Sequence, residues 1–358
     1  MQIIDTPSLR TIKSENYNRV FDKRTGYMRR WGKTEDAKDD PTWSPFGPEL
    51  LDIEITTACS GPGNKGPCKW CYKANTSTGK SMSLDTFKAI MNKLAYTGKG
   101  VGPCKDIKIW SFEQIAFGLD AKCESNKDWI DIFKYTKECL ITPNLTIADI
   151  SDETADHIAS LAGACAVSRY EDKNLCYDSI KRLTDRGMTQ VNIHALTADQ
   201  TYDWIMETLQ DRLTDPRLAK LNAIVMLSLK QKGRGTSMTP LSQDKYNNLV
   251  KYAMDHNISI GMDSCSAHKA LKAFEGTSQY ESVQNLIEPC ESSKFSLYID
   301  VDGYIYPCSF AAGTPGWESG INLLSYSNFI KEVWNGPRLS EFRDKLECNG
   351  RHCPYFTI

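Results

Sequence analysis

The chain has 358 residues, 41% hydrophobic and 25% charged, with 43 basic against 45 acidic side chains and a formal net charge of −2. That length can bury a full core, and that balance offers no basic face for nucleic acid. No apolar run is long enough to span a membrane, and the opening residues lack the basic and apolar regions of a secretory signal, so a cytoplasmic protein without membrane partners is expected. Thirteen cysteines are an odd number, which rules out complete disulfide pairing within the chain. Metal or cluster ligation is the better account of those that group together.

In chain order, Tyr17–Phe21 and Tyr27–Trp31 alternate around a Gly26 turn and predict a β-hairpin, with 33–49 as a polar connector. Leu51, Ile53 and Ile55 form a strand that ends at Cys59. Gly61, Pro62, Gly63, Gly66 and Pro67 then break regular structure before Cys68-Lys69-Trp70-Cys71. From Ser83 to Leu94 the apolar residues trace one helical stripe, with Ser83 placed to cap it.

Strands are expected at 106–110, 144–150, 164–168, 190–196, 222–229 and 258–262. Helices are expected between them at 129–140, 152–161, 177–186, 199–213 and 241–256. Such alternation predicts a parallel sheet with helical crossovers, and chemistry at the carboxyl ends of its strands. The last hundred residues break the pattern. Asp302-Gly303 lies between two alternating runs as a hairpin turn, flanked by Cys290 and Cys308, and Cys348 and Cys353 follow. Scattered cysteines such as Cys139, Cys165 and Cys176 read as small core residues.

Three thiols at Cys59, Cys68 and Cys71, with no histidine nearby, leave a closed zinc site one ligand short. A [4Fe-4S] cluster held by three thiolates keeps one iron open. The stretch resembles the cluster loop of the radical S-adenosylmethionine (SAM) superfamily, where the aromatic before the last cysteine corresponds to Trp70. The departure is the first gap, of eight residues instead of three. The resemblance implies a partial (β/α)6 barrel over 51–262, preceded by an N-terminal hairpin and connector at 1–50. A small cysteine-rich α+β extension at 263–358 follows.

Cys290-x12-Gly303-x4-Cys308 is similar to the opening of the SPASM and twitch motifs, which carry auxiliary [4Fe-4S] clusters. That implies Cys290, Cys308, Cys348 and Cys353 as ligands, with Cys265 or His352 as substitutes for one of the closing pair. A zinc clip made of the same thiolates remains the alternative, since thiolates suit both.

The same resemblance implies SAM contacts. Ser111 and Glu113 follow the 106–110 strand, where the superfamily has a Gly-Gly-Glu-Pro turn, and only the Glu is kept. Gly118 and Asp120 are the second choice. Ser168 would meet the ribose hydroxyls and Arg169 the SAM carboxylate. Asn192 and His194, at i and i+2, share one side of a strand, and Gly233-Arg234-Gly235 reads as a turn.

The implied activity is reductive SAM cleavage to a 5′-deoxyadenosyl radical. That radical would abstract hydrogen from a peptide or protein side chain, in cross-linking or oxidation, with a flavodoxin or ferredoxin as electron donor. Oxidation of a small molecule is the alternative substrate class. A non-catalytic zinc-clipped binding protein is the alternative of another kind.

Overall fold

The structure is a computed structural model that describes residues 2–34, 36–63, 65–99 and 106–358. Alternation governs the first thirty residues. Four strands, β1 (Gln2–Asp5), β2 (Leu9–Lys13), β3 (Asn18–Asp22) and β4 (Met28–Trp31), pair antiparallel in that order. The expected hairpin is present as β3 and β4, and two further strands precede it. Their inward residues are Arg10, Ile12, Arg19 and Phe21, each about 2% exposed. Two buried arginines on one sheet face need acceptors elsewhere in the molecule.

The central region continues with β5 (Leu50–Glu54), α1 (Leu84–Leu94), β6 (Tyr96–Lys99), β7 (Asp106–Ile109), β8 (Gln114–Gly118), α2 (Trp129–Glu138) and β9 (Thr142–Ile147). Next come α3 (Asp152–Leu161), β10 (Ala164–Ser168), α4 (Lys173–Asp185), β11 (Val191–Thr197), α5 (Tyr202–Thr214), β12 (Ala223–Ser228), α6 (Gln243–Asp255) and β13 (Ile260–Met262). The C-terminal region adds α7 (Ala267–Phe274), α8 (Tyr280–Gln284), β14 (Ser296–Ile299), β15 (Tyr304–Tyr306), β16 (Ile321–Asn322) and α9 (Pro337–Cys348). Ser83 caps α1 as expected, its side chain accepting from the Thr86 amide at 3.1 Å.

One large sheet organises these elements, in the order β13-β12-β11-β10-β9-β8-β5-β14-β15-β16. Pairing is parallel from β13 through to β14 and antiparallel beyond it. The sheet does not close, so the parallel sheet that the alternation predicted is the partial α/β barrel that the resemblance implied. Val191, Ile193 and Ala195 on β11 are fully buried, as are Tyr177, Ile180 and Leu183 on α4. Burying each of these Val, Ile and Leu side chains stabilises the fold by about 1.5–3 kcal/mol.

One expectation is corrected. The 106–110 segment is not a barrel strand, because β7 pairs antiparallel with β6 in a separate two-stranded ribbon. The strand beside β5 is β8, with Leu50 opposite Gln114 and Glu54 opposite Gly118. The C-terminal extension also shares the barrel sheet, since β14 pairs with β5, placing Ser296 opposite Leu50. Among the described residues, no helix is long and apolar enough to cross a membrane.

Candidate active site at the cysteine loop

β5 hands the chain to Cys59 at the carboxyl end of the sheet. The Cys59 amide donates to the Thr76 carbonyl at 2.7 Å, and the Gly61 amide points at the Cys59 Sγ from 3.4 Å. The Cys71 amide reaches back to the Cys68 carbonyl at 3.4 Å, which sets the turn between the last two thiols. Burial pushes the Cys68 thiol up and the neighbouring Cys59 and Cys71 thiols push the same way, while a hydrogen bond with the Tyr170 hydroxyl opposes them. Cys59 and Cys71 therefore both bear on Cys68 across a single loop.

A clamp from the other side of the barrel holds this loop. After β12, the Arg234 guanidinium donates to the Cys68 carbonyl at 2.7 Å and to the Asn75 carbonyl at 2.9 Å, and the Arg234 amide donates to the Cys71 carbonyl at 3.0 Å. Gly233 has φ +55°, and a Cβ there would lie 2.4 Å from the Tyr72 carbonyl oxygen. The glycine-flanked arginine, which the sequence marks only as a turn, is thus a loop anchor. Trp70 sits between Tyr170, stacked at 5.8 Å, and Trp204, also at 5.8 Å.

The structure moves two expected SAM contacts to the wrong end of the sheet. Ser111 and Glu113 precede β8, so they lie at the amino end of the strands, below the barrel. Glu113 is 1% exposed and ion-paired with Arg19. Arg19 also donates to the Ser111 carbonyl at 2.9 Å and lies 3.2 Å from Glu49. Arg10 donates to the Trp110 and Phe112 carbonyls. The N-terminal sheet is therefore a polar plug for the barrel floor. Of the second choice, Gly118 ends β8, the strand beside β5, and Asp120 follows it. The Ile55 amide donates to the Gly118 carbonyl at 2.9 Å, and buried Asp120 accepts from the Lys122, Glu124 and Ser125 amides.

Ser168 ends β10 at the carboxyl side. Next to it Arg169 is buried, donating to Glu207 at 2.8 Å and Thr208 at 3.2 Å, with its Nη1 buried and lacking a partner among the described residues. Asn192 and His194 share the concave face, where the His194 Nδ1 lies 3.5 Å from the Thr146 hydroxyl across β10. Two carboxyls lie at the carboxyl half of β5. Burial raises Asp52 to about 7, with Glu291 adding to the shift. Burial also raises Glu54, against the opposing pull of Lys73, 3.3 Å away, and of Tyr298, which donates to it at 2.9 Å. Lys73 follows Cys71 by two residues, so Glu54 and Tyr298 link the cysteine loop to β14.

Burial pulls His194 down to about 4, with Asp263 pulling weakly the other way. A folded value below the unfolded 6.5 means stability present above pH 6.5 and lost as pH falls toward 4. The loss from this residue between pH 7 and pH 5 is expected to be about 1–2 kcal/mol. Asp52, raised when folded, runs in the opposite direction, so the comparison must be with His194→Gln. Urea unfolding of both proteins at the two pH values measures it, and equal pH slopes would remove His194 from this account.

In the C-terminal region, Cys290 is buried and its Sγ lies 3.4 Å from the Ser292 hydroxyl. Burial, with Cys290 adding to it, raises Cys308 to about 11. Cys353 acts on Cys290. Cys348 ends α9 and is exposed. A cavity of about 480 Å³ opens beside β13, lined by Asp263, Ser264, Glu288 and Glu291 among others. Among the described residues, no three His, Cys, Asp or Glu side chains crowd one point closely enough for a single metal ion. As a donor set, soft thiols on a loop that wraps outward suit an iron–sulfur group.

Residues 290–354 match the SPASM family, an iron-sulfur cluster-binding domain. In fold the chain is similar to Streptococcus suis SuiB, solved bound to the precursor peptide SuiA. The TM-score is 0.68 at 12% identity, over 96% of this chain and 90% of that one. It also aligns with BtrN, solved in complex with AdoMet and 2-DOIA, at 12% identity over 83% of this chain and 86% of that one, with a TM-score of 0.39. No curated protein matches by sequence. The SPASM match upholds the resemblance read from the second cysteine group, and the likeness in fold to SuiB agrees with the partial barrel that the first group implied.

Proposed function

We propose that the chain is a radical SAM enzyme acting on a peptide or protein side chain. Residues 51–262 would carry SAM and the first cluster, and 263–358 the auxiliary cluster. The observation that carries this reading is the gathering of Cys59, Cys68 and Cys71 on one anchored loop, at the carboxyl ends of parallel strands. Cys59, Cys68 and Cys71 would hold a [4Fe-4S] cluster there, and it would supply the single electron for SAM cleavage.

The protein's own part is placement. Arg234 fixes the loop, the Tyr170 hydroxyl holds Cys68, and Trp70 packs the loop against the barrel wall. The partnerless Nη1 of Arg169 offers one charged donor for a carboxylate, and Ser168 beside it offers a hydroxyl for a ribose. The peptide substrate is favoured by the likeness in fold to SuiB, itself solved with a precursor peptide.

Anaerobic reconstitution, iron and sulfide counts and a dithionite-driven SAM cleavage assay test the reading. About eight irons are expected in the wild type and about four in a Cys59/Cys68/Cys71→Ala variant, at four per cluster. Deoxyadenosine is expected from the wild type alone. Zinc in place of iron, or no deoxyadenosine from a fully loaded protein, would sink it.

A further inference from the structure

The closing cysteines of the chain do not all meet. The Ser292 hydroxyl lies 3.4 Å from the Cys290 Sγ and also bonds the Cys308 thiol, and Arg351, two residues before Cys353, reaches the Cys290 carbonyl. Tyr355 feels both Cys308 and Cys353. Among the described residues Cys348 makes none of these contacts and stands exposed at the last turn of α9. A fourth thiol does enter them. Cys265, in the turn after β13, feels Cys290 and Cys308 together.

Packing brings Cys265 there. Asp263 accepts from the Ser266 amide at 3.2 Å and fixes the turn. Lys230, 4% exposed, is ion-paired with Asp263 and hydrogen-bonded to Cys265. Its ammonium also lies 4.7 Å from the Phe310 ring, two residues past Cys308. Below the turn, His268 stacks on His352 at 3.5 Å, beside Cys353. The Arg351 guanidinium donates to the Cys290 carbonyl at 3.1 Å and to the Pro289 carbonyl at 2.7 Å, tying the 351–353 turn to Cys290. Three separate contacts thus draw 265, 290, 308 and 353 into one region. A core cysteine would be surrounded by apolar groups; Cys265 faces a buried ammonium and two thiols.

We infer that Cys265, from outside the 290–354 segment, is the fourth ligand of the auxiliary iron–sulfur cluster, together with Cys290, Cys308 and Cys353, and that Cys348 is not a ligand. This rests on the auxiliary-cluster reading given above. The Lys230 ammonium then neutralises part of the cluster's negative charge from within hydrogen-bonding reach of one ligand.

The test uses the full chain in the Cys59/Cys68/Cys71→Ala background, so that only the auxiliary site is read. That parent is expected to hold about four irons. Adding Cys348→Ala should leave the iron count and the electron paramagnetic resonance spectrum unchanged. Adding Cys265→Ala should lower the count to about three or fewer, with a three-iron signal in the oxidised protein. Far-UV circular dichroism checks folding. If the alanine variant does not fold, Cys265→Ser decides, with a reduction potential and spectrum displaced from the parent.

Parental iron and spectrum at position 265, or loss of iron from Cys348→Ala, would overturn the assignment. A parent with no iron, or with zinc, would overturn the auxiliary-cluster reading itself, before any variant at 265 is made.

Discussion

Replacing Arg19 with alanine is expected to lower the unfolding free energy by about 3–5 kcal/mol. Arg19 and Glu113 are 2% and 1% exposed and pair across the barrel floor, and the same guanidinium bonds the Ser111 carbonyl and approaches Glu49. Burial already pushes Glu113 up, with Arg19 and then Arg10 as the charges that oppose it. Removing Arg19 leaves a buried carboxylate short of its main partner, which is costlier than never having built the pair. Urea midpoints measure the loss, and a change under about 1 kcal/mol would refute the plug. Glu113→Gln gives the complementary result: reduced stability with SAM affinity held within about twofold. A large loss of SAM affinity in a folded Glu113→Gln protein would restore the contact that the sequence suggested.

Gly233→Ala is expected to empty the first cluster site while sparing the auxiliary one. The backbone at Gly233 sits at φ +55°, where a Cβ costs about 1–2 kcal/mol. That Cβ would also lie 2.4 Å from the Tyr72 carbonyl oxygen and 2.7 Å from that of Cys71, both rigid backbone atoms. Either the turn or the cysteine loop must move, and the Arg234 bonds to Cys68 and Cys71 go with it. Iron should fall from about eight to about four per chain, with deoxyadenosine production lost. Full iron content and normal cleavage would show that the loop holds its shape without the clamp. Arg234→Ala, which removes the side-chain donors and leaves φ alone, should give a smaller loss.

Most of the barrel was legible because its strands alternate or run apolar between good caps. The segment 164–168 coincides with β10, and 152–161 coincides with α3. The second strand was misplaced for a specific reason. Asp106–Ile109 alternates as a strand should, but β6 satisfies it locally, while the barrel strand Gln114–Gly118 is short and ends in glycine. Both expected SAM contacts at 111 and 113 inherited that slip. Alternation reports that a strand exists, and only tertiary pairing says which sheet it joins.

The buried Arg10 and Arg19 were illegible because arginine goes inside only where distant acceptors await it, here carbonyls about a hundred positions away. Cys265 was visible as a candidate and undecided, since nothing in sequence places residue 230 against it. That the thiols at 59, 68 and 71 share one loop was readable because their grouping is local.

The pairing of β14 with β5 bears on how the molecule is made. The strand that presents Cys59 is central in the sheet, yet one of its neighbours comes from the far end of the chain. During synthesis the hydrogen-bonding edge of Leu50–Glu54 stays open until residues 296–299 emerge, and long-range parallel pairing of this kind is slow. A chain cut at 262 would keep every cysteine of the first group and still expose an apolar edge primed to pair with another molecule. The C-terminal segment is therefore a structural stave of the barrel as well as a cluster carrier, and excision of the barrel alone should yield aggregate in place of a smaller enzyme.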